Sequence, residues 1–124
     1  MRVFKNKWFA SFAKKEGITD VLLCEAVVRA QRGLIDANLG GGLIKQRIGR
    51  PGAGKSGGYR AIIVFRSGYR AFMVFGFAKS RRESLEHDEE EVYKDIGQEL
   101  LSATDIELGQ LITTGYLTEV QYDD

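Results

Sequence analysis

Apolar positions recur along the chain in two periods, helical at both ends and alternating in the middle. Trp8, Phe9, Phe12 and Ala13 share one helical face within residues 7–16, Asn6 can accept hydrogen bonds from the free N–H groups of the first turn, and Gly17 ends the run. Lys14 and Lys15 stand at its C-terminal end, where the helix dipole favours cations. Thr19 caps a second helix over 20–32, with Leu22, Leu23, Ala26, Val27 and Ala30 on one side and Gly33 as its stop. The two are expected to form a helical hairpin with a buried seam, preceded by a short edge strand over 2–5.

Asn38 and the glycines Gly40, Gly41 and Gly42 predict a flexible connection into a sheet. Over 43–48 the pattern alternates: Leu43, Lys45 and Arg47 face one way, Ile44, Gln46 and Ile48 the other. A loop over 49–58 leads to a second strand, 59–66, and Ser67-Gly68 turns it into a third, 69–78. On the middle strand Arg60, Ile62, Val64 and Arg66 share a face, which puts Arg60 beside Lys45 and Arg47. Beyond the cations Lys79, Arg81 and Arg82, Asp88 is expected to cap a helix over 89–101, and Thr104 with Glu107 forms a capping box for a last helix to about residue 113. The expected fold is α+β: two N-terminal helices packed on a small antiparallel sheet, with additional C-terminal acidic helices.

Composition narrows the class. At 124 residues the chain fits a single domain, given roughly 100–200 residues per domain, with 83–124 as its acidic helical segment. With 44% hydrophobic and 28% charged residues it is neither disordered nor fibrous. One cysteine, Cys24, excludes an internal disulfide framework and a cysteine zinc cluster, and nothing near it in sequence would make it a thiolate. No apolar run approaches the roughly 18 residues that cross a bilayer, and Met1-Arg2-Val3 does not open a signal peptide, so a cytoplasmic location is expected.

The net charge of +1 conceals an asymmetry. Residues 1–82 hold 17 Lys or Arg against 4 Asp or Glu, a balance of +13, whereas 83–124 hold one lysine against 13 acids, a balance of −12. Such a split points to a polyanion-binding face on the basic part. The alternative is that the acidic segment packs on the basic one and cancels it; both can hold in part.

One motif invites an enzyme class that its context excludes. Residues 49–56, Gly-Arg-Pro-Gly-Ala-Gly-Lys-Ser, satisfy the phosphate-loop pattern. That pattern needs a helix to begin at the lysine so that its N-terminal N–H groups cradle the phosphates. Here Gly57-Gly58 and a strand follow instead, and the expected sheet is antiparallel. The stretch reads as a cationic hairpin loop whose Arg50 and Lys55 are available to a phosphate backbone.

Several blocks in this order resemble the RelE/ParE superfamily of bacterial toxins, and within it a HigB-like RelE branch. They are Lys7-Trp8-Phe9 with Phe12-Ala13-Lys14, Gly17-Ile18-Thr19-Asp20, the run from Leu39 through Gly40, Gly41 and Gly42 to Arg47, Gly54-Lys55-Ser56-Gly57-Gly58-Tyr59-Arg60, and Gly76-Phe77-Ala78-Lys79-Ser80. The resemblance implies a RelE-like fold and a toxin of a type II toxin–antitoxin system. It implies a ribosome-dependent endoribonuclease that cuts messenger RNA, without metal or other cofactor, by 2′-hydroxyl attack on the adjacent phosphate. The implied partner is a cognate antitoxin with a helix-turn-helix domain, through which the complex, rather than this subunit, reaches DNA. The ParE side of the superfamily supplies the alternative: inhibition of DNA gyrase by protein binding, with no nuclease chemistry.

On this resemblance Lys45, Arg60, Lys79 and Arg81 are the candidate catalytic residues, and Arg47, Arg50, Lys55 and Arg82 the candidate RNA contacts. The chemistry requires a base for the 2′-hydroxyl, an acid for the leaving 5′-oxygen and positive charge over the phosphate. Arg60 is the candidate phosphate clamp. Like charge disfavours protonation of a lysine set among cations, which makes Lys45 the candidate base. For Arg66 and Arg70 a solvated strand face is an equal alternative. His87, amid Glu86, Asp88 and Glu89, is either a proton-transfer residue or a surface residue at a helix start.

Overall fold

The computed structural model describes residues 1–50 and 54–123, with side chains at all of these except 50 and 54–56. The elements run β1 (Arg2–Asn6), α1 (Lys7–Glu16), α2 (Asp20–Gln31), β2 (Ala37–Gly40), β3 (Leu43–Arg50), β4 (Gly54–Arg66), β5 (Arg70–Ala78), α3 (His87–Ser102), α4 (Asp105–Thr113) and β6 (Leu117–Val120). Among the described residues the strands form one six-stranded sheet in the order β2-β3-β4-β5-β1-β6.

This corrects the small antiparallel sheet expected from the sequence. The meander β3-β4-β5 is present, but β1 lies parallel to β5, with Arg2 opposite Arg70 and Lys5 opposite Met73, and β6 joins antiparallel to β1. The sheet is therefore mixed, and β1 is an interior strand rather than an edge. Val3 and Phe4, consecutive and pointing to opposite faces, are both fully buried, as a strand covered on both sides requires. The expected flexible connection before β3 is instead strand β2 and a tight turn, with Gly40, Gly41 and Gly42 at φ of 85°, 60° and 80°. Those values suit glycine and strain other residues.

Helices cover both faces. Under α1 and α2 lie Val3, Ile44, Ala61, Ile63 and Met73; under α3 and α4 lie Phe4, Leu43, Ile62, Val64 and Phe72. The acidic segment thus forms the second outer layer of the fold. Rather than meeting chiefly along a shared seam, α1 packs on β5 and α2 on β3. Asn6 caps α1 as its sequence position predicts, accepting from the Phe9 N–H at 2.7 Å, and its amide also donates to the Val74 carbonyl at 3.0 Å.

The acidic helices are anchored by a residue that reads as a strand-surface cation. Arg70 is 4% exposed and donates to the carbonyls of Leu100 (3.1 Å) and Ala103 (2.6 Å), so it caps the C-terminal end of α3. Helix α3 begins earlier than expected, with Glu86 rather than Asp88 as N-cap; the Glu86 N–H donates to the Glu89 carboxylate at 2.8 Å. The Thr104–Glu107 box is present as expected.

Two glycines test this packing in opposite directions. A Cβ on Gly76 would lie 2.7 Å from the Phe12 ring and 3.0 Å from Phe9, whereas one on Gly109 of α4 would meet nothing within 4 Å. Gly76→Ala is expected to destabilise by roughly 1–3 kcal/mol through overpacking. Gly109→Ala is expected to stabilise by about 0.5–1 kcal/mol through helix propensity. Urea unfolding of the two variants checks both signs, and equal midpoints would contradict the close approach of α1 to β5.

Candidate functional site

The pleat of β3 and β4 builds the site. Leu43, Lys45 and Arg47 alternate onto the face that carries Ile62 and Val64, and the register sets Arg47 directly opposite Arg60 and Lys45 opposite Ile62. On its other side Arg60 is paired with Phe77 of β5. Like charges directly opposite each other destabilise a sheet, so the pairing of two arginines calls for an electrostatic account.

Arg60 is 9% exposed. Its guanidinium donates to the Tyr59 carbonyl at 3.2 Å, and among the described residues no carboxylate lies within ion-pair distance of it. Burial lowers its pKa, the neighbouring Arg47 lowers it further, and Asp36 opposes both. A desolvated guanidinium with unused donors has the chemistry to hold an anion.

Arg47 is exposed but held. Asp36 accepts from its backbone N–H at 2.6 Å and stands 3.4 Å from its guanidinium, and it also pairs with Arg29 of α2 at 3.6 Å. Asp36 is positioned in turn by Gln46, a fully buried amide on the opposite face of β3. Gln46 accepts from the Asp36 N–H at 2.7 Å and donates to the carbonyls of Ala26 (3.1 Å) and Leu34 (3.2 Å). Sequence reasoning missed this bracket, although a signal existed: Gln46 stands between Ile44 and Ile48 on an otherwise apolar face.

The remaining candidates divide. Lys45 is half-buried and its ammonium donates to the Glu83 carbonyl at 3.0 Å. The Lys79 N–H donates to the Gly58 carbonyl at 3.1 Å, carrying the β4–β5 ladder one residue past Ala78, and its side chain is half-buried. Arg81 is exposed and lines a cleft between α1 and the end of β5. Arg82 is committed elsewhere: it pairs with Glu89 of α3, donates to the Ser84 carbonyl at 3.0 Å, and lies 5.4 Å over the Phe77 ring and 5.8 Å over Phe75. That staple raises the pKa of Arg82 and lowers that of Glu89. The side chains of Arg50 and Lys55 lie outside the described residues. Lys55 belongs to β4, so no helix starts where the phosphate-loop pattern would need one.

His87 is exposed at the first position of α3 and, among the described residues, makes no ion pair. Trp8, expected within the buried stripe of α1, is 45% exposed, while Phe9 and Ala13 are buried. The acidic helices do share the face of Lys45, Arg47 and Arg60. Helix α3 nevertheless seats on Val64 through Gly97 and places Leu101 against Gly42. Val64 is four residues along β4 from Arg60, roughly 13 Å at strand rise. Among the described residues no group of three or more His, Cys, Asp or Glu is placed to hold a metal ion, and no helix is long and apolar enough to cross a membrane.

A family model described as the RelE toxin of the RelE / RelB toxin–antitoxin system matches residues 1–120. No curated protein matches the chain.

The Arg82–Glu89 staple has a pH signature. The Arg82 hydrogen bond first, and the Glu86 backbone second, hold the Glu89 carboxyl below the ordinary carboxylate range. A depressed folded-state pKa contributes stability that is complete above the unfolded value and is lost as pH falls through the folded one. Glu89→Gln, which preserves the capping geometry, is expected to lower the thermal midpoint at neutral pH and to converge on the parent in acid. Coincident neutral-pH midpoints would show that the staple contributes nothing.

Proposed function

The chain belongs to the RelE toxin family of the toxin–antitoxin systems, and on that premise we propose that it is a metal-independent endoribonuclease that cleaves messenger RNA on the ribosome. The observation that carries this reading is Arg60: a nearly buried arginine with no carboxylate partner among the described residues, facing a second arginine across two central strands. An RNA phosphate bound there would relieve the repulsion between them and supply the missing acceptor.

The reaction divides among the side chains as follows. The ribose 2′-hydroxyl attacks the adjacent phosphorus while the bond to the 5′-oxygen breaks, and negative charge gathers on the non-bridging oxygens. Arg60 meets that charge with its planar fork, and Arg47, oriented by Asp36, holds the neighbouring phosphate. Lys45 takes the 2′-hydroxyl proton. Lys79, at the exit of β5, returns a proton to the leaving 5′-oxygen, with Arg81 beside it. Arg82 stays with Glu89 and holds the connection between β5 and α3 rather than the RNA. The cognate antitoxin would be a helix-turn-helix protein that blocks this face and carries the pair to DNA.

Expression of variants tests the reading. Arg60→Ala is expected to abolish growth arrest and to slow messenger cleavage by about 10²–10³-fold, as loss of an oxyanion donor does. Lys45→Ala is expected to cost about 10²–10⁴-fold in messenger cleavage. If Arg60→Ala arrests growth as strongly as the parent while messenger RNA stays intact, the nuclease reading fails and a toxin acting by protein binding replaces it.

A further inference from the structure

The exposed face of α1 carries a feature that the cleavage chemistry does not use. Trp8, the chain's single tryptophan, leaves 45% of its surface open to solvent. Its ring is nonetheless fixed, stacked on Phe12 at 5.2 Å and 15° and tilted against Phe75 at 4.6 Å and 33°. A rigid, half-open indole is an unusual thing to leave on a surface.

Two clefts flank it. One of about 590 Å³ runs along α1 past Lys7 and Lys15 to Tyr116. The other, of about 260 Å³, lies between α1 and the end of β5 and is lined by Lys15, Glu16, Phe77 and Arg81 among others. Trp8, Phe12 and Lys15 line both, so the two form one groove across the ring. Lys7, Lys15 and Arg81 are exposed and, among the described residues, none is ion-paired; Glu16 is the one acid in the lining. Phe77 in its wall is the cross-strand neighbour of Arg60, so the groove lies one strand away from the candidate site.

We propose that Trp8 is a stacking platform for one base of the bound RNA strand, with Lys15 and Arg81 holding the phosphates on either side. An apolar ring set among unpaired cations suits a single-stranded polyanion, whose bases offer flat faces at any sequence and whose backbone supplies the charge. The inference rests on the reading of the chain as an RNA-cleaving toxin and adds a position, on the side of β5 away from β4, where the strand is gripped by a base.

The lone tryptophan makes the test direct. The full-length protein is titrated with a short 2′-O-methyl oligoribonucleotide, which lacks the attacking hydroxyl and so is not cut, and with an abasic strand of the same length. Stacking predicts saturable quenching of tryptophan emission by the first and none by the second. Trp8→Ala is expected to weaken binding about tenfold, within the range for loss of one stacked base, and Trp8→Phe to restore most of it. Lys15→Ala and Arg81→Ala should each reduce the salt slope by about 0.7, as loss of one single-strand phosphate contact does. These two variants keep the test alive should Trp8→Ala fold poorly.

No binding of the oligonucleotide, equal quenching by both strands, or binding with no change in emission overturns the platform. So does loss of antitoxin binding in Trp8→Phe with oligonucleotide binding unchanged, which would assign the groove to a protein. None of these results touches the growth-arrest outcome of Arg60→Ala, so failure of the platform and failure of the nuclease reading are separable.

Discussion

Burial of β4 on both faces is the constraint from which the rest of the structure follows. A central strand with helices above and below must present an apolar residue at nearly every position, and β4 does so through Tyr59, Ala61, Ile63 and Phe65 on one side and Ile62 and Val64 on the other. Arg60 interrupts that rule in the middle of the strand. Placing a cation there with no carboxylate against it among the described residues forgoes stability that an apolar side chain would supply. Proteins tolerate such losses at positions that serve function. The α3 end of the same face is filled by apolar contacts, and the cations lie at the other end.

Two groups stand out within the positive charge of the first 82 residues. Arg2, Arg70 and Arg82 are structural: each is paired with an acid of the C-terminal segment, Arg2 with Glu119 and Asp105, Arg70 with Asp105, and Arg82 with Glu89. These pairs dock the acidic layer onto the sheet, so part of the charge asymmetry is internal cancellation. Arg47 and Arg60 form the other group, and Arg47 is ordered from beneath. A chain of hydrogen bonds from Gln46 through Asp36 fixes Arg47, and the amide of Gln46 also ties down the carbonyls of α2 and the stretch that follows it. A buried polar network with its bonds satisfied specifies geometry as well as adding stability.

What the sequence disclosed was local. Asn6, Gly17, Thr19 and Thr104 mark helix ends because capping depends on a few adjacent residues. Strand alternation alone brings Lys45, Arg47 and Arg60 to one face, and the observed register agrees. What it hid was relational. Nothing in residues 2–6 states that their partners are residues 70–73 in parallel and 117–120 in reverse, since strand partners are selected by packing across the whole chain. Helical spacing gave Trp8 and Phe9 a common stripe, yet the angle between them lets one enter the core while the other stays outside. Arg70 has the sequence context of a surface cation, and only the arrival of the end of α3 gives it carbonyls to cap.

The joining of β1 to β6 bears on how the molecule is made. Arg2 and Glu119 lie 117 positions apart and meet in a two-bond fork, each bond 2.9 Å long. Strand β1 therefore waits for residues 117–120 before both its edges are covered. Contacts of such sequence separation form late and slowly. Until residues 117–120 have been made and have left the ribosome, β1 lacks the strand that covers its outer edge, which delays assembly of the sheet.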